Sequence, residues 1–184
     1  MGSRYANFII QNSDMLLILG SRLDPSLTAF KSGDFGRNAF KIMVDIDPAE
    51  IKKIENIDLR ITSDISQVMT AVAQMPMTLP EHANWLEYCC NLKDRYPAFC
   101  GGAVPGEAVD LYLFTDELFK QLSPTDIIVP ESSGAAGEVT YQAIKVKYGQ
   151  SIKNAAGLGS MGFGLPYAIG SCLALERRRT VLIN

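Results

Sequence analysis

The sequence predicts an α/β fold made of two doubly wound, parallel-sheet units, both incomplete. Three observations carry that reading. Short apolar runs alternate with stretches of helical periodicity along the whole chain. The run at 15–19 is apolar on both faces, as expected of a central parallel strand. The same alternation then restarts after a breaker-rich segment between Pro76 and Gly106.

In order, a helical stub at 5–12 leads into strand 15–19, which Gly20 ends. A second strand is expected at 41–46 and a short third at 60–62. Between them Asp47-Pro48 initiates a helix over 49–54, because an aspartate before a first-turn proline is a helix-start signal. Ile65, Val68, Met69 and Val72 fall at i, i+3, i+4 and i+7, one face of a helix. Asp64 with Gln67 approximates a capping box at its start. The prolines of 75–80 cannot continue that helix. Trp85, Cys89, Leu92 and Tyr96 mark one face of the next helix, which makes Cys89 a core thiol.

The second half opens with an amphipathic helix on Leu111, Phe114, Leu118, Phe119 and Leu122. Strand 126–130 follows, then a loop over 131–137 opening a helix with Val139, Ala143 and Val146 on one face. A short strand near Ile152 precedes a glycine-rich loop. A helix over 165–176, with Pro166 in its first turn, and a strand over 180–184 complete the order. The chain stops at the carboxyl end of that strand, where parallel sheets bind ligands. It therefore reads as a segment cut from a longer protein at both ends.

Composition narrows the function. At 184 residues, against roughly 150 per domain, the chain holds one domain and a remainder or two small ones. With 47% hydrophobic and 20% charged residues it can bury a core. The net charge is -3, and the longest basic run is Arg177-Arg178-Arg179, so no nucleic-acid partner is expected. His82 is the only histidine, which removes sites needing two histidines from this chain. Cys89, Cys90, Cys100 and Cys172 form no C-x-x-C pair and read as reduced thiols of a cytoplasmic protein. No secretory signal is visible at Met1-Gly2-Ser3-Arg4. The uncharged stretch 155–175 is long enough to span a bilayer. Gly157, Gly159, Gly162, Gly164, Gly170 and Pro166 break it, so no membrane partner is expected.

Three segments could carry chemistry. Gly157, Gly159 and Gly162 satisfy G-x-G-x-x-G, but Gly164 and Pro166 delay the helix and no acid stands about 20 positions on. A nicotinamide site is not supported, although close backbone approach to a ligand remains a use for these glycines. Asp45-Ile46-Asp47 has the form of a D-x-D metal pair. An acid at a strand's carboxyl end that binds a ribose explains Asp45 as well, and helix initiation explains Asp47 better. Finally, Ser132-Ser133-Gly134-Ala135-Ala136-Gly137 joins a strand to a helix. Its successive N–H groups could form an anion nest, or it is a tight turn only. It lacks the Gly-Lys-Ser/Thr of a nucleoside triphosphatase loop. This segment and the glycine-rich loop are expected at adjacent strand ends of one sheet.

The run at 157–170, GLGSMGFGLPYAIG, closely resembles the loop and helix of thiamine-diphosphate enzymes of the acetolactate synthase type. The resemblance continues in register. DMLLILGSR at 14–22 and VDIDPAEI at 44–51 look like that family's middle domain, and 123–134 looks like the start of its diphosphate-binding domain. It implies two Rossmann-like units: 1–80 as the later part of the middle, nucleotide-binding-like domain, 81–106 as a linker with a helix, and 107–184 as the start of the diphosphate-binding domain.

The resemblance also implies site residues. Backbone groups of Ser133, Gly134, Ala135 and Ala136 would hold the cofactor diphosphate. Gly159 and Met161 would contact its aminopyrimidine, with the Met161 side chain as the apolar wedge that keeps the cofactor bent, and Ser160 between them belongs to the same cofactor-binding set. Acetolactate synthases usually carry Gln-His where this chain has Ala135-Ala136, which removes side-chain contacts to the diphosphate. In flavin-dependent members, an adenosine would lie along Gly20, Arg22, Asp45, Ile46, Asp64 and Ile65. Ser26 replaces a second arginine common there, which counts against FAD. The Gly-Asp-Gly magnesium motif would follow Asn184, and the activating glutamate belongs to a first domain across a dimer interface.

The implied parent is a magnesium-dependent homodimer or tetramer that removes carbon dioxide from a 2-oxo acid and passes the acyl unit on. The chain alone would be inactive. A 2-oxo acid decarboxylase or another carbon–carbon lyase of the superfamily is the alternative within the class. A non-catalytic nucleotide-binding module is the alternative outside it.

Overall fold

The computed structural model describes residues 2–77, 80–99, 101, 108–132, 134–155 and 157–184. It divides into two compact units, Gly2–Pro97 and Ala98–Asn184.

In the first unit, strands β1 (Met15–Leu19), β2 (Phe40–Asp45) and β3 (Leu59–Thr62) form a parallel sheet in the order β1-β2-β3. Leu17 pairs with Ile42, and Ile42 with Leu59. Helices α1 (Arg4–Asn12), α2 (Pro48–Lys52), α3 (Ile65–Gln74) and α4 (Ala83–Arg95) complete the unit. The buried centre is Met43 of β2, grouped with Ile18, Leu23, Ile51, Ile54 and Ile57. Met43 has no exposed surface, which stabilises the fold by roughly 1.5–3 kcal/mol relative to an exposed side chain. Phe8 of α1 meets Tyr96 with ring centroids 5.0 Å apart, which joins α1 to the end of α4.

β1 departs from the expectation of a strand covered on both faces. It lies at the edge of the sheet, with Met15 and Leu17 more than half exposed and only Ile18 buried. The helix starts follow the sequence signals closely. Asp47 caps α2 by accepting the Ala49 N–H at 2.8 Å, and Asp64 caps α3 by accepting the Ser66 N–H at 2.8 Å. The capping box is incomplete, because Gln67 accepts a hydrogen bond from the Ser63 hydroxyl at 3.0 Å instead of returning to the cap backbone.

In the second unit, β4 (Ile127–Pro130) lies between β5 (Ser151–Ile152) and β6 (Thr180–Ile183), all parallel. Helices α5 (Leu111–Gln121), α6 (Gly134–Ala143) and α7 (Gly164–Ala174) accompany the sheet. Alternation along β4 divides its side chains between two apolar clusters. Ile128 packs with Phe119 and Leu122 at the end of α5, joined by Ile152 and Val181. Ile127 and Val129 pack with Ala168 of α7, joined by Tyr167 and Leu182. Both faces of β4 are therefore covered. Tyr112 donates to Gln142 Oε1 at 3.0 Å and holds α5 beside α6.

At the amino ends of β4 and β6, buried Asp126 accepts from Arg179 Nε at 2.7 Å and also from its Nη2. The arginine hydrogen bonds lead, with the Ser123 N–H adding to them, in holding the Asp126 carboxyl below the usual aspartate range. α6 starts at Gly134, inside the segment 131–137 expected to be loop, and ends at Ala143. Val146 consequently lies outside the helix and is more than half exposed. No helix among the described residues is long and apolar enough to cross a membrane.

Candidate functional site

The carboxyl ends of β4 and β5 are neighbours, and each leads into a loop of small residues. The β4 connection is short. Glu131 continues the ladder by donating its N–H to Ile183 O at 2.8 Å, and α6 starts at Gly134. Ser133 lies outside the described residues. Gly134 has φ +67° with open space where a side chain would stand, so glycine serves its left-handed backbone alone. Gly137 is different. A Cβ there would come within 2.6 Å of the Glu131 carbonyl oxygen, so the first turn of α6 lies directly on the strand end.

Glu131, which the sequence reading did not single out, proves central. Its carboxylate Oε2 accepts the Gly164 N–H at 2.8 Å. Gly164 is the first residue of α7, whose cap residue Phe163 supplies no side-chain bond. A buried carboxylate at the end of the strand on which α7 packs thus satisfies one of the unpaired N–H groups that open every helix. A Cβ on Gly164 would lie 2.2 Å from Oε2. The other oxygen, Oε1, and the Ser132 hydroxyl are buried with no hydrogen-bond partner among the described residues. One signal for Glu131 was in the sequence: an acid directly after a wholly apolar strand, at the end where such sheets bind ligands.

A cavity of about 400 Å³ opens at this end of the sheet, lined by Glu131, Ala135, Ala136, Phe114, Thr140 and Asn184 among others. Two predicted positions, Ala135 and Ala136, reach it. Gly159, Ser160 and Met161 do not line it. Gly159 has φ +62° and donates to Ala155 O at 2.8 Å, Ser160 is exposed, and Met161 is 90% exposed. Tyr141 on α6 accepts a hydrogen bond from Asn154, which ties the helix to the chain just after β5. Burial raises the Tyr141 pKa, partly offset by that bond.

In the first unit the predicted nucleotide positions gather at the carboxyl ends of the three strands. Gly20, at φ +57°, donates to Val44 O at 2.9 Å, and a Cβ there would come within 2.7 Å of Ile65 Cδ1. Asp45 is buried and accepts the Asp47 N–H at 2.9 Å, while Asp47 itself caps α2. The D-x-D pair is therefore engaged in forming a turn. Asp64 is engaged at the start of α3, and two hydrogen bonds from Ser66 hold its carboxyl below the usual range. Arg22 lies 3.6 Å from Glu50 and 3.8 Å from Asp24, and Ile46 is 72% exposed. No group of three or more acidic, cysteine or histidine side chains suited to a metal ion occurs among the described residues.

Comparison with known proteins decides the family. Residues 1–72 match "Thiamine pyrophosphate enzyme, central domain", and residues 132–184 match "Thiamine pyrophosphate enzyme, C-terminal TPP binding domain". The chain belongs to the thiamine pyrophosphate enzyme family. Among its family relatives, the acetolactate synthase isozyme 2 large subunit of Escherichia coli (strain K12) is 31% identical over 186 residues, covering 100% of this chain and 32% of that protein. The acetolactate synthase of Mycobacterium bovis is 33% identical over 172 residues, covering 90% of this chain and 27% of that protein. The acetolactate synthase large subunit of Porphyra purpurea is 32% identical over 193 residues, covering 100% and 31%. The chain thus spans about a third of the length of the curated relatives it matches.

A TPP binding domain indicates thiamine diphosphate, and the residues at the β4 end suit it. α6 runs for ten residues with no acid in its first turn, and its opening N–H groups face no intrahelical acceptor. Orphaned Ser132 Oγ offers a further donor beside it. Glu131 would oppose an anion, but its charge is placed against the positive end of α7.

Proposed function

We propose that this chain is the cofactor-holding part of a thiamine-diphosphate- and magnesium-dependent, acetolactate synthase-like transferase that acts on 2-oxo acids. The observation that carries the reading is the start of α6. Small residues there bring the opening N–H groups of a helix, which have no intrahelical acceptor, to a cavity at the carboxyl end of a buried parallel strand. When bound, thiamine diphosphate supplies the carbon nucleophile and electron sink that let a 2-oxo acid lose carbon dioxide.

The chain's residues do the rest by position. Ser133, Gly134, Ala135 and Ala136 present backbone N–H groups to the diphosphate. Gly159 and Met161 contact the aminopyrimidine, with Ser160 in the same cofactor-binding loop, and the exposed Met161 thioether gives that face an apolar wall. Gly20, Arg22, Asp45, Ile46, Asp64 and Ile65 form a nucleotide-sized surface in the first unit. Flavin is disfavoured there, because Arg22 is paired with Glu50 and Asp24 and the Asp64 carboxylate is spent on α3.

In domain terms, 1–80 belongs to the middle domain, 81–106 to a linker and 107–184 to the diphosphate-binding domain. The magnesium ligands and the activating glutamate lie outside these residues, in a cytoplasmic homodimer or tetramer. Ala135-Ala136 in place of Gln-His favours a second reading, a 2-oxo acid decarboxylase or related lyase. Product analysis with pyruvate separates the two, acetolactate marking the first and acetaldehyde the second. The 184-residue chain supplied with thiamine diphosphate and magnesium should release no carbon dioxide from pyruvate. Release would overturn its dependence on further residues.

A further inference from the structure

Glu131 is held by three elements at once. Its N–H is bonded to Ile183 O of β6, its carbonyl oxygen lies against Gly137 of α6, and its carboxylate bonds the first N–H of α7. Both glycines sit where any Cβ would collide with it, at 2.6 Å for Gly137 and 2.2 Å for Gly164. The glycines at 157, 159 and 162 instead face open space. The glycine content of this half therefore has two uses, and the two closest positions converge on one residue, Gly137 on its carbonyl oxygen and Gly164 on its carboxylate.

We propose that Glu131 is a positioning residue that sets the start of α6 against the start of α7. Through them it sets the two loops that hold the cofactor, a role that rests on the functional reading above. The loop at 157–163 is tied at its start, where the Leu158 and Gly159 N–H groups bond Ala155 O, while its Leu158 and Met161 side chains are almost fully exposed. Its last residue, however, is followed directly by the Gly164 N–H that Glu131 holds. The acceptor must reach across 33 residues of sequence and stay buried. A carboxylate suits the task, because the positive end of a helix dipole favours a negative acceptor. An amide of the same length keeps the acceptor and loses only the charge.

The test compares Glu131→Gln, Glu131→Ala and Gly164→Ala in the protein encoded by the complete reading frame that carries this sequence. Two quantities are read: thiamine diphosphate affinity in magnesium buffer, and hydrogen exchange of the Gly164 amide without cofactor. Glu131→Ala should speed Gly164 exchange and weaken cofactor binding by about tenfold or more, whereas Glu131→Gln stays within about threefold of wild type. Gly164→Ala breaks the same contact from the other side. The double variant Glu131→Ala/Gly164→Ala should lose no more affinity than the weaker-binding single variant. Cofactor affinity unchanged in Glu131→Ala, or losses that multiply in the double variant, would overturn the positioning role alone. Unchanged Gly164 exchange in Glu131→Ala would overturn the contact. A wild type that binds no cofactor would overturn the functional reading, and this role with it.

Discussion

A single backbone contact separates glycines that look alike in sequence. Gly137 stands 2.6 Å, measured from an added Cβ, from the Glu131 carbonyl, while Gly157 faces open space with no left-handed backbone to maintain. Gly137→Ala should therefore destabilise the fold by about 1–3 kcal/mol, because backbone must move to accept the methyl group. Gly157→Ala should stay within about 0.5 kcal/mol of wild type. Urea titration of both variants checks the contrast, and equal losses would contradict it. A charge sets a second residue-scale effect. The folded Asp126 carboxyl titrates below its unfolded value of about 3.9, so its pairing with Arg179 stabilises the fold fully above that value. The contribution fades as pH falls through the lower, folded pKa. Thermal unfolding of Asp126→Asn from pH 7 to pH 2 should show a deficit that is largest near neutrality and closes in acid.

At the scale of elements, the signals that could be read in the sequence are those that act locally. Asp47 before Pro48 caps α2, and Asp64 caps α3, because a cap needs only residues two or three apart. Asp110 does the same for α5, accepting the Tyr112 and Leu113 N–H groups at 2.8 and 3.0 Å. Replacing it with alanine should cost about 1 kcal/mol, read as a lowered unfolding midpoint. The strands at 15–19, near Ile152 and at 180–183 fall where the apolar runs placed them. What could not be read depends on distant partners. α6 begins at Gly134 and Gly137 of its first turn packs on the strand end, a contact that no propensity within 131–137 encodes. Glu131 caps α7 from 33 residues away, so its role was hidden although its position was not. β1 has the composition of a central strand but the place of an edge strand, because composition records two apolar faces without saying what covers them.

For the molecule as a whole, two parallel three-stranded sheets carry two sets of loops at their carboxyl ends, and the family of both halves is known. The fold class and the family were legible because the glycine-rich run and the strand-end signatures are short and contiguous. The assembled site was less so: Ala135 and Ala136 reach the cavity, while Met161 stands exposed. The central claim is that the start of α6 receives a diphosphate in concert with a metal bound outside these residues. Calorimetric titration of thiamine diphosphate into the protein of the complete reading frame, with and without magnesium, tests it most directly. Saturable binding that disappears when the metal is chelated is the predicted result. Absence of binding with magnesium present, or binding indifferent to its removal, would contradict the account.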